Sequence, residues 1–340
     1  MIAFFLVFSF IITLMHYICF LQSFTLSNWF LKLLPLILAC ILMSLLAITR
    51  VYNGFGAVFL HTLAHNWLGF IFLWFCFSFV FIFLKICHVS LPLLLPLIIA
   101  CVLTLWATAW SFKEPVIKQI EITNPKIKQP LLIAQISDTH LGKNINPKRL
   151  EKALKNLSTY NPDIIVLTGD IFEETKNMQP YTDLIKELQA PCGKYVISGN
   201  HEYYSGITAN KELFKQAGLT DLDNKTIETC GIIINGVSDH PDMQFLSNLK
   251  PQEKFAILLQ HQPRQFKELS PKIDLMLSGH THAGQIWPFN YLVALRYGYI
   301  KGLYKYGESN LYVNPGTFYW GPAMRLFSTN EITLIKLNEK

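Results

Sequence analysis

Asp and Glu are absent from the first 110 residues of this 340-residue chain. The only basic residues there are Lys32, Arg50 and Lys85, whereas the remaining residues hold 26 basic and 23 acidic side chains. A soluble domain has about 25% charged residues, whereas these 110 residues contain only three. They therefore have no polar face to expose to water. We expect this part of the chain to lie in a lipid bilayer, with a composition boundary near residue 111.

Four apolar runs have the length of about 17–25 residues that a membrane-spanning helix needs. They cover residues 1–21, 33–49, 67–84 and 91–110. A cleaved signal peptide explains the first run poorly, because it lacks a basic start and a small-residue cleavage site. The prediction is an all-α transmembrane region of about four helices, in which Pro92 and Pro96 are tolerated and residues 51–66 form a loop or surface-lying segment.

The charges that flank these runs indicate orientation only weakly. With an even number of spans, Arg50, Lys113 and Lys118 lie on one side and two lysines on the other. The positive-inside rule then leans slightly toward a cytoplasmic position for the rest of the chain. Cys192 and Cys230, the two cysteines of that remainder, could form one bridge, but nothing in the sequence requires it.

Short apolar runs alternate with helical stretches after residue 111, which predicts an α/β domain. The clearest strand covers Leu131–Ile136 and is followed by Asp138 and His140. About 210 residues suffice for one domain with a real core. The predicted organisation is a transmembrane region at 1–111, a linker and first strand at 112–130, and one domain at 131–340.

Metal-type side chains recur where the predicted strands end. Five of the six histidines after residue 111 lie at or just beyond such an end, and Gly169, Gly199 and Gly279 each precede one of these residues. In open α/β sheets, the carboxyl ends of strands are where ligands bind. The candidate metal ligands are Asp138, His140, Asp170, Asn200, His261, His280 and His282.

Seven candidate ligands are too many for one four-coordinate zinc ion, but they suit two divalent ions that share a carboxylate. Such a pair binds a water and stabilises the attacking and leaving oxygens of a phosphoryl transfer. The mixture of imidazole, carboxylate and amide favours Mn, Fe or Zn. His201 could protonate the leaving oxygen. The chain has neither a G-x-S-x-G nucleophile elbow nor a P-loop, which disfavours those two alternatives.

The ordered motifs SDTH, GD, GNHE, a lone His and GHTHAGQ resemble the calcineurin-like metallophosphoesterase superfamily, and most closely its bacterial membrane-associated branch. The resemblance covers roughly residues 116–340. It implies a metal-dependent phosphoric ester hydrolase with a four-layer α/β (α+β) sandwich of two mainly β sheets flanked by helices.

The resemblance also implies a role for each motif residue. Asp138, His140 and His282 would hold the first metal, and Asn200, His261 and His280 the second. Asp170 would bridge the two metals, and His201 would be the general acid that also contacts phosphate. The chain departs from the family pattern at Glu173, where many relatives have Asp or Asn, which puts metal tuning in doubt.

A stretch rich in aromatic and basic residues follows the last motif, at positions 285–307, and we expect it to overhang the site. Its Trp287, Arg296 and Lys301, together with Asn200, are the candidate substrate contacts. Trp320 and Arg325 are weaker candidates for the same rim. The transmembrane part favours a lipid-linked phosphodiester or pyrophosphate, including a nucleotide-linked lipid, at a bacterial inner membrane.

Other functions remain compatible with this sequence. The enzyme could be a phosphomonoesterase for proteins or soluble nucleotides, localised by its anchor. The domain could instead be a metal-binding regulatory or scaffold domain attached to a receptor-like or transporter-like membrane region. Little supports a transporter, since no acid or base lies well inside a predicted span. No specific nucleic-acid partner is predicted.

Overall fold

The structure, a computed structural model, describes residues 2–24, 29–52, 56–240 and 242–340. The chain forms two compact units. One consists of Met1–Phe112 with Gly321–Leu326, and the other of Lys113–Trp320 with Phe327–Lys340. The domain boundaries predicted at residues 111 and 130 remain predictions.

The first unit is helical. Its helices are α1 (Ile2–Ser23), α2 (Trp29–Val51), α3 (Ala57–Ile86) and α4 (Leu95–Ser111). Segments Leu6–Ser23, Leu31–Thr49 and Ala57–Ile86 are long and apolar enough to cross a bilayer, whereas α4 is shorter, with 17 residues. The predicted count of about four spans is therefore approximate.

Several helix boundaries differ from those predicted, and those at the starts of α3 and α4 have a physical reason. Helix α3 begins at Ala57, so the prediction of a loop is wrong for residues 57–66; residues 53–55 lie outside the described part of the chain. Residues 57–66 contain no Pro or Gly to stop a helix. Helix α4 begins at Leu95 rather than at residue 91, with Pro96 in its first turn, where a missing backbone N–H breaks no helical bond.

Segment Gly321–Leu326 belongs to the helical unit through backbone contacts. The backbone N–H of Ala323 donates to Oδ1 of Asn66 at 2.7 Å, and that of Arg325 donates to the carbonyl of Ala107 at 2.9 Å. Arg325 is only 1% exposed. The expectation that Arg325 lies on the substrate rim is therefore wrong, because its side chain is packed inside the protein.

The second unit contains two six-stranded sheets. The strands of the first are β1 (Val116–Thr123), β2 (Leu131–Ile136), β3 (Ile164–Leu167), β4 (Lys194–Val196), β5 (Thr220–Asp221) and β12 (Glu331–Asn338), in the order β1-β12-β2-β3-β4-β5. Strand β12 is antiparallel to β2, and β2 to β5 are parallel.

The second sheet has the order β10-β11-β9-β8-β7-β6. Its strands are β6 (Lys225–Thr229), β7 (Ile232–Val237), β8 (Ala256–Gln260), β9 (Leu275–Ser278), β10 (Gly302–Tyr306) and β11 (Ser309–Val313). The four central strands are parallel, and the two edge strands are antiparallel to their neighbours.

An apolar core lies between the two sheets. Ile133, Ile164 and Ile197 from the first sheet share one cluster of fully buried side chains with Ile257 and Leu277 from the second. Because side chains alternate along a strand, such near-continuous apolar strands are buried on both faces. The second unit also contains the helices α5 (Pro147–Ser158), α6 (Gln179–Lys186), α7 (Asn200–Ser205), α8 (Ile207–Gln216), α9 (Met243–Asn248), α10 (Phe266–Leu269) and α11 (Phe289–Tyr297). The predicted sandwich of two flanked sheets is confirmed.

One disulfide, Cys192–Cys230, joins the segment before β4 to the turn between β6 and β7, with a Cα–Cα distance of 5.9 Å. The sequence allowed this bridge without requiring it. Disulfides persist in oxidising compartments and are rare in the cytosol of mesophiles.

Candidate metal centre

Five loops that follow strands bring the predicted ligands together at one edge of the two sheets. The loops after β2, β3 and β4 carry Asp138 with His140, Asp170, and Asn200 with His201. The loops after β8 and β9 carry His261, and His280 with His282. Parallel strands end at the same edge, so residues distant in the sequence meet there.

The first group consists of Asp138, His140 and His282, whose candidate ligand atoms all lie within 4.8 Å of one another. Nε2 of His140 lies 3.1 Å from Nε2 of His282, which in turn lies 3.5 Å from Oδ1 of Asp138. All three residues are buried. These are the residues predicted to hold the first metal.

The second group consists of Asp170, His261 and His280, with the same mutual distance limit of 4.8 Å. Nε2 of His261 lies 3.1 Å from Oδ2 of Asp170 and 3.2 Å from Nδ1 of His280. Asn200 is the other residue predicted to hold this metal. Its buried Oδ1 has no hydrogen-bond partner in the described part of the chain. An unsatisfied buried oxygen is costly unless a ligand or ion meets it.

Asp170 lies between the two groups. Its Oδ2 is 3.9 Å from Nε2 of His140 and 4.0 Å from Nε2 of His201, besides the short contact to His261. Burial alone would raise the pKa of Asp170, but the surrounding imidazoles hold it well below its usual value. A carboxylate that stays ionised between two sets of ligands suits a bridging role.

The donor set fits divalent metals because of the way the imidazoles are oriented. Nδ1 of His261 donates to the carbonyl of Thr168 at 2.7 Å, so Nε2 is the nitrogen that faces the centre. The hydroxyl of Tyr297 donates to Gln262 and therefore accepts from Nε2–H of His280, which leaves Nδ1 of His280 as an acceptor. Burial would lower the pKa of His261, but the charge of Asp170 and its hydrogen bond raise it to about 10, so without a metal a proton on Nε2 takes the position of a cation. Nε2 of His261 and Nδ1 of His280 lie 3.2 Å apart, and one cation can contact both.

Burial and the charge of His261 together lower the pKa of His280 to about 3. His280 is therefore a neutral imidazole at physiological pH, the form that binds a metal. Tyr297 lies within the aromatic 285–307 stretch, and no pattern in the sequence pairs it with His280. The stretch that we expect to overhang the site contains helix α11 and strand β10.

Glu173 connects a predicted ligand with the predicted general acid. Its Oε2 accepts hydrogen bonds from Nδ1 of His140 at 2.9 Å and from Nδ1 of His201 at 2.8 Å. Burial would lower the pKa of His201, but the Glu173 hydrogen bond and the nearby carboxylates raise it to about 9. His201 is therefore protonated near neutral pH, as a general acid must be.

Glu202 is a buried residue to which sequence reasoning assigned no role. Its carboxylate accepts backbone N–H groups from Asp170 at 2.9 Å, Ile171 at 2.7 Å and Gly199 at 2.8 Å. It thereby ties the loop after β3 to the loop after β4. Burial and the charge of Asp170 raise its pKa to about 7. Its only sequence signal is its position immediately after Asn200 and His201.

The backbone around the centre is strained. Asp138, His140, Asp170, His280 and His282 have positive φ angles between 44° and 69°. Such angles are uncommon for residues other than Gly and cluster at functional sites. A Cβ at Gly279 would collide with Ser137 and Asp138, so the loops approach more closely there than any other residue permits.

The predicted substrate contacts are placed less uniformly. Asn200 directly precedes His201, whose backbone N–H donates to Oδ1 of Asp170 at 2.9 Å, whereas the guanidinium of Arg296 lies 5.7 Å from the ring centroid of Tyr297. Trp287 contacts Phe327 through their rings, and Lys301 is exposed before β10. The 48% exposed Trp320 lies beside the site, with its ring centroid 5.3 Å from that of His201.

Comparison with known proteins gives one family. Residues 131–284 match the family model described as calcineurin-like phosphoesterase. An uncharacterized metallophosphoesterase of Campylobacter jejuni is 34% identical over 72% of this chain and 70% of its own length.

Two further relatives extend the comparison. A metallophosphoesterase of Helicobacter pylori is 33% identical over 67% of this chain and 65% of its own. A transmembrane protein with metallophosphoesterase domain from Danio rerio is 30% identical over 72% of this chain and 62% of its own. The chain thus spans under two thirds of the length of these two. Among solved structures, a dimetal phosphatase from Danio rerio aligns with a TM-score of 0.37 and 10% identity over 55% of this chain and 87% of its own.

Proposed function

The chain belongs to the calcineurin-like metallophosphoesterase family, and on that premise we propose that it is a membrane-anchored hydrolase of a phosphodiester or pyrophosphate-type bond in a lipid-linked substrate. The observation that carries the proposal is the position of Asp170 between two sets of imidazole and carboxylate ligands. Its three apolar helices and its transmembrane relative support membrane association.

In this proposal the two groups hold two divalent ions. Asp138, His140 and His282 hold the first, with Asp170 shared. When bound, a metal pair of this kind supplies charge neutralisation and an activated water for attack on phosphorus. The imidazole-rich donor set favours Mn, Fe or Zn over Ca or Mg.

The second ion is held by Asn200, His261 and His280, again with Asp170. The unsatisfied Oδ1 of Asn200 and the acceptor Nδ1 of His280 support this assignment. The amide N–H₂ of Asn200 remains available to a phosphate oxygen, which agrees with its predicted role in substrate binding.

His201 is the proposed general acid. Its Nδ1 is engaged by Glu173, so Nε2 is the atom that gives its proton to the leaving oxygen. Nε2 lies 4.0 Å from Oδ2 of Asp170, which keeps the proton beside the centre where the bond breaks. Glu173 holds the imidazole in this orientation and stabilises its charged form.

The lipid-linked substrate is supported by the surroundings of His201. Trp320 lies on one side and Tyr204, 77% exposed, on another, with its ring centroid 5.3 Å from that of His201. Aromatic rings beside a polar catalytic group suit a substrate that has both a phosphate and an apolar or planar part.

We place the catalytic domain on the non-cytoplasmic side of the bacterial inner membrane. The few flanking charges lean slightly toward the cytoplasm, whereas the disulfide between Cys192 and Cys230 is typical of an oxidising compartment. A covalent bond that needs oxidising conditions outweighs a difference of one flanking charge.

Hydrolysis by the full chain in detergent micelles tests the function. We would strip the metal, add back Mn, Zn, Fe or Mg, and assay bis-p-nitrophenyl phosphate and p-nitrophenyl phosphate. Asp170→Asn should lower metal-restored turnover by about 100- to 1000-fold and reduce the bound metal. Asp183→Asn, an exposed residue on α6, is the matched control. A folded wild-type chain that binds no metal would refute the proposal.

A further inference from the structure

Helix α11 exposes an apolar face beside the metal centre. The structure describes all nine of its residues, and none of them is buried. Tyr291 is 60% exposed, Leu292 58% and Leu295 84%. At 100° per residue these three side chains lie within one 100° arc of the helix, so they form a continuous strip rather than scattered contacts. We call this strip the α11 face.

The charged residues in the sequence around α11 have one sign. From Leu275 to Gly307 the chain has no Asp or Glu, and its basic residues are Arg296, Lys301 and Lys305. Arg296 and Lys301 are exposed, and Nζ of Lys305 contacts a carboxylate only beyond this stretch, 3.7 Å away at Glu308. Exposed apolar and aromatic side chains with bases near them in the chain favour contact with the surface of an anionic bilayer.

The apolar helices of this chain keep a bilayer close to the catalytic domain. Three of its helices are long and apolar enough to cross a membrane, and they are covalently joined to the catalytic domain. From these observations we propose that the α11 face docks on anionic lipid headgroups, with Leu292 and Leu295 entering the headgroup boundary. Each base near an anionic surface strengthens such docking by about fivefold.

The consequence for the site follows from the sequence of α11 itself. The helix ends at Tyr297, whose hydroxyl lies 2.6 Å from Nε2 of His280. Docking of Leu292 and Leu295 therefore places the edge of the metal centre at the membrane surface, where a lipid-linked phosphoester is presented. The docking itself does not depend on turnover.

Photo-crosslinking of the full chain in lipid vesicles tests the docking. We would replace Leu295 by p-benzoylphenylalanine and irradiate the protein in vesicles of phosphatidylcholine with or without phosphatidylglycerol. Lipid adducts at position 295 should form in the anionic vesicles and fall about fivefold or more in neutral ones or at high salt. The same replacement at Tyr160, an exposed residue just after α5, is the control and should give none.

Three outcomes would overturn the docking. They are no lipid adduct at position 295, equal yields in neutral and anionic vesicles, and protein–protein adducts in place of lipid, which would show that a second copy covers the face.

The double variant Leu292→Ser with Leu295→Ser supplies a second measurement. It should leave hydrolysis of soluble bis-p-nitrophenyl phosphate unchanged and abolish lipid adducts from a photoreactive residue at Tyr291. If the adducts persisted, the leucines would not be the docking residues. Failure of hydrolysis alone would refute the proposed function and leave the docking intact.

Discussion

The hydroxyl of Tyr297 lies 2.6 Å from Nε2 of His280, and it donates its own hydrogen to Oε1 of Gln262 at 3.4 Å. The hydroxyl therefore accepts from His280, which fixes the tautomer in which Nδ1 points toward the metal centre. A hydrogen bond to the far nitrogen of an imidazole ligand is a common device for orienting metal ligands.

Tyr297→Phe should weaken the binding of the second metal by about 10- to 100-fold, because Nε2–H of His280 loses its acceptor. Isothermal titration calorimetry with the metal measures this affinity directly. Tyr291→Phe, on the exposed face of the same helix, is the matched control and should bind metal as the wild type does. Unchanged affinity in Tyr297→Phe would show that the hydroxyl does not position His280.

His201→Asn should lower kcat by about 100- to 10,000-fold while two metals remain bound, because the leaving oxygen loses its proton donor. Turnover and metal content by mass spectrometry are measured on the same sample. The exposed His240, replaced in the same way, provides the control. Retained turnover in His201→Asn would refute the general-acid assignment.

Glu173→Gln should shift the alkaline limb of the kcat–pH profile to lower pH by about 1 unit or more. Burial favours neutral His201, and Glu173 is the partner that raises its pKa to about 9. Without that charge, His201 loses its proton at lower pH and the acid is missing earlier. Glu174→Gln, at the neighbouring half-buried position, should leave the profile unchanged. If Glu173→Gln left the pH profile unchanged, Glu173 would not set the pKa of His201 during turnover.

The hydrogen bond between Glu173 and His201 also predicts a pH dependence of stability in the metal-free protein. The pKa of His201 is raised on folding from 6.5 to about 9, so the contribution is complete below pH 6.5 and is lost as the pH rises through 9. The free energy of unfolding of the wild type should therefore fall more steeply between these pH values than that of Glu173→Gln. Parallel slopes in denaturant titrations of the two proteins would contradict the prediction.

Replacing Cys192 and Cys230 together by Ser should lower the free energy of unfolding of the catalytic domain by about 2–4 kcal/mol. The reason is that the segment between the two cysteines, which are 38 residues apart, gains conformational freedom in the unfolded chain. Guanidinium unfolding of the full chain, with and without dithiothreitol, measures the effect. Reductant should destabilise the wild type and leave the double variant unchanged. A maleimide adduct that mass spectrometry maps to Cys192 or Cys230 of the wild type without prior reduction would show that the bridge does not form.

A local pattern predicted the strand that leads into the first candidate ligands. Leu131–Ile136 is apolar at almost every position, and the chain turns polar at once after it, so its burial and its end follow from neighbouring residues. Helix α11 was not predicted. Its exposed apolar residues have no polar face opposite them to mark a helical period, and its boundaries depend on packing beside His280.

The sequence by itself determined the order of strand-end ligands, because each ligand directly follows the buried strand that positions it. Only the tertiary structure decided which imidazole nitrogen faces the centre. His280 is oriented by Tyr297, 17 residues away, and His140 by Glu173, 33 residues away. The union of Cys192 with Cys230 and the four backbone hydrogen bonds to Glu202 also join segments that only folding brings together. Hydrogen bonds depend on distance and direction in space, and a linear pattern of residue types contains neither.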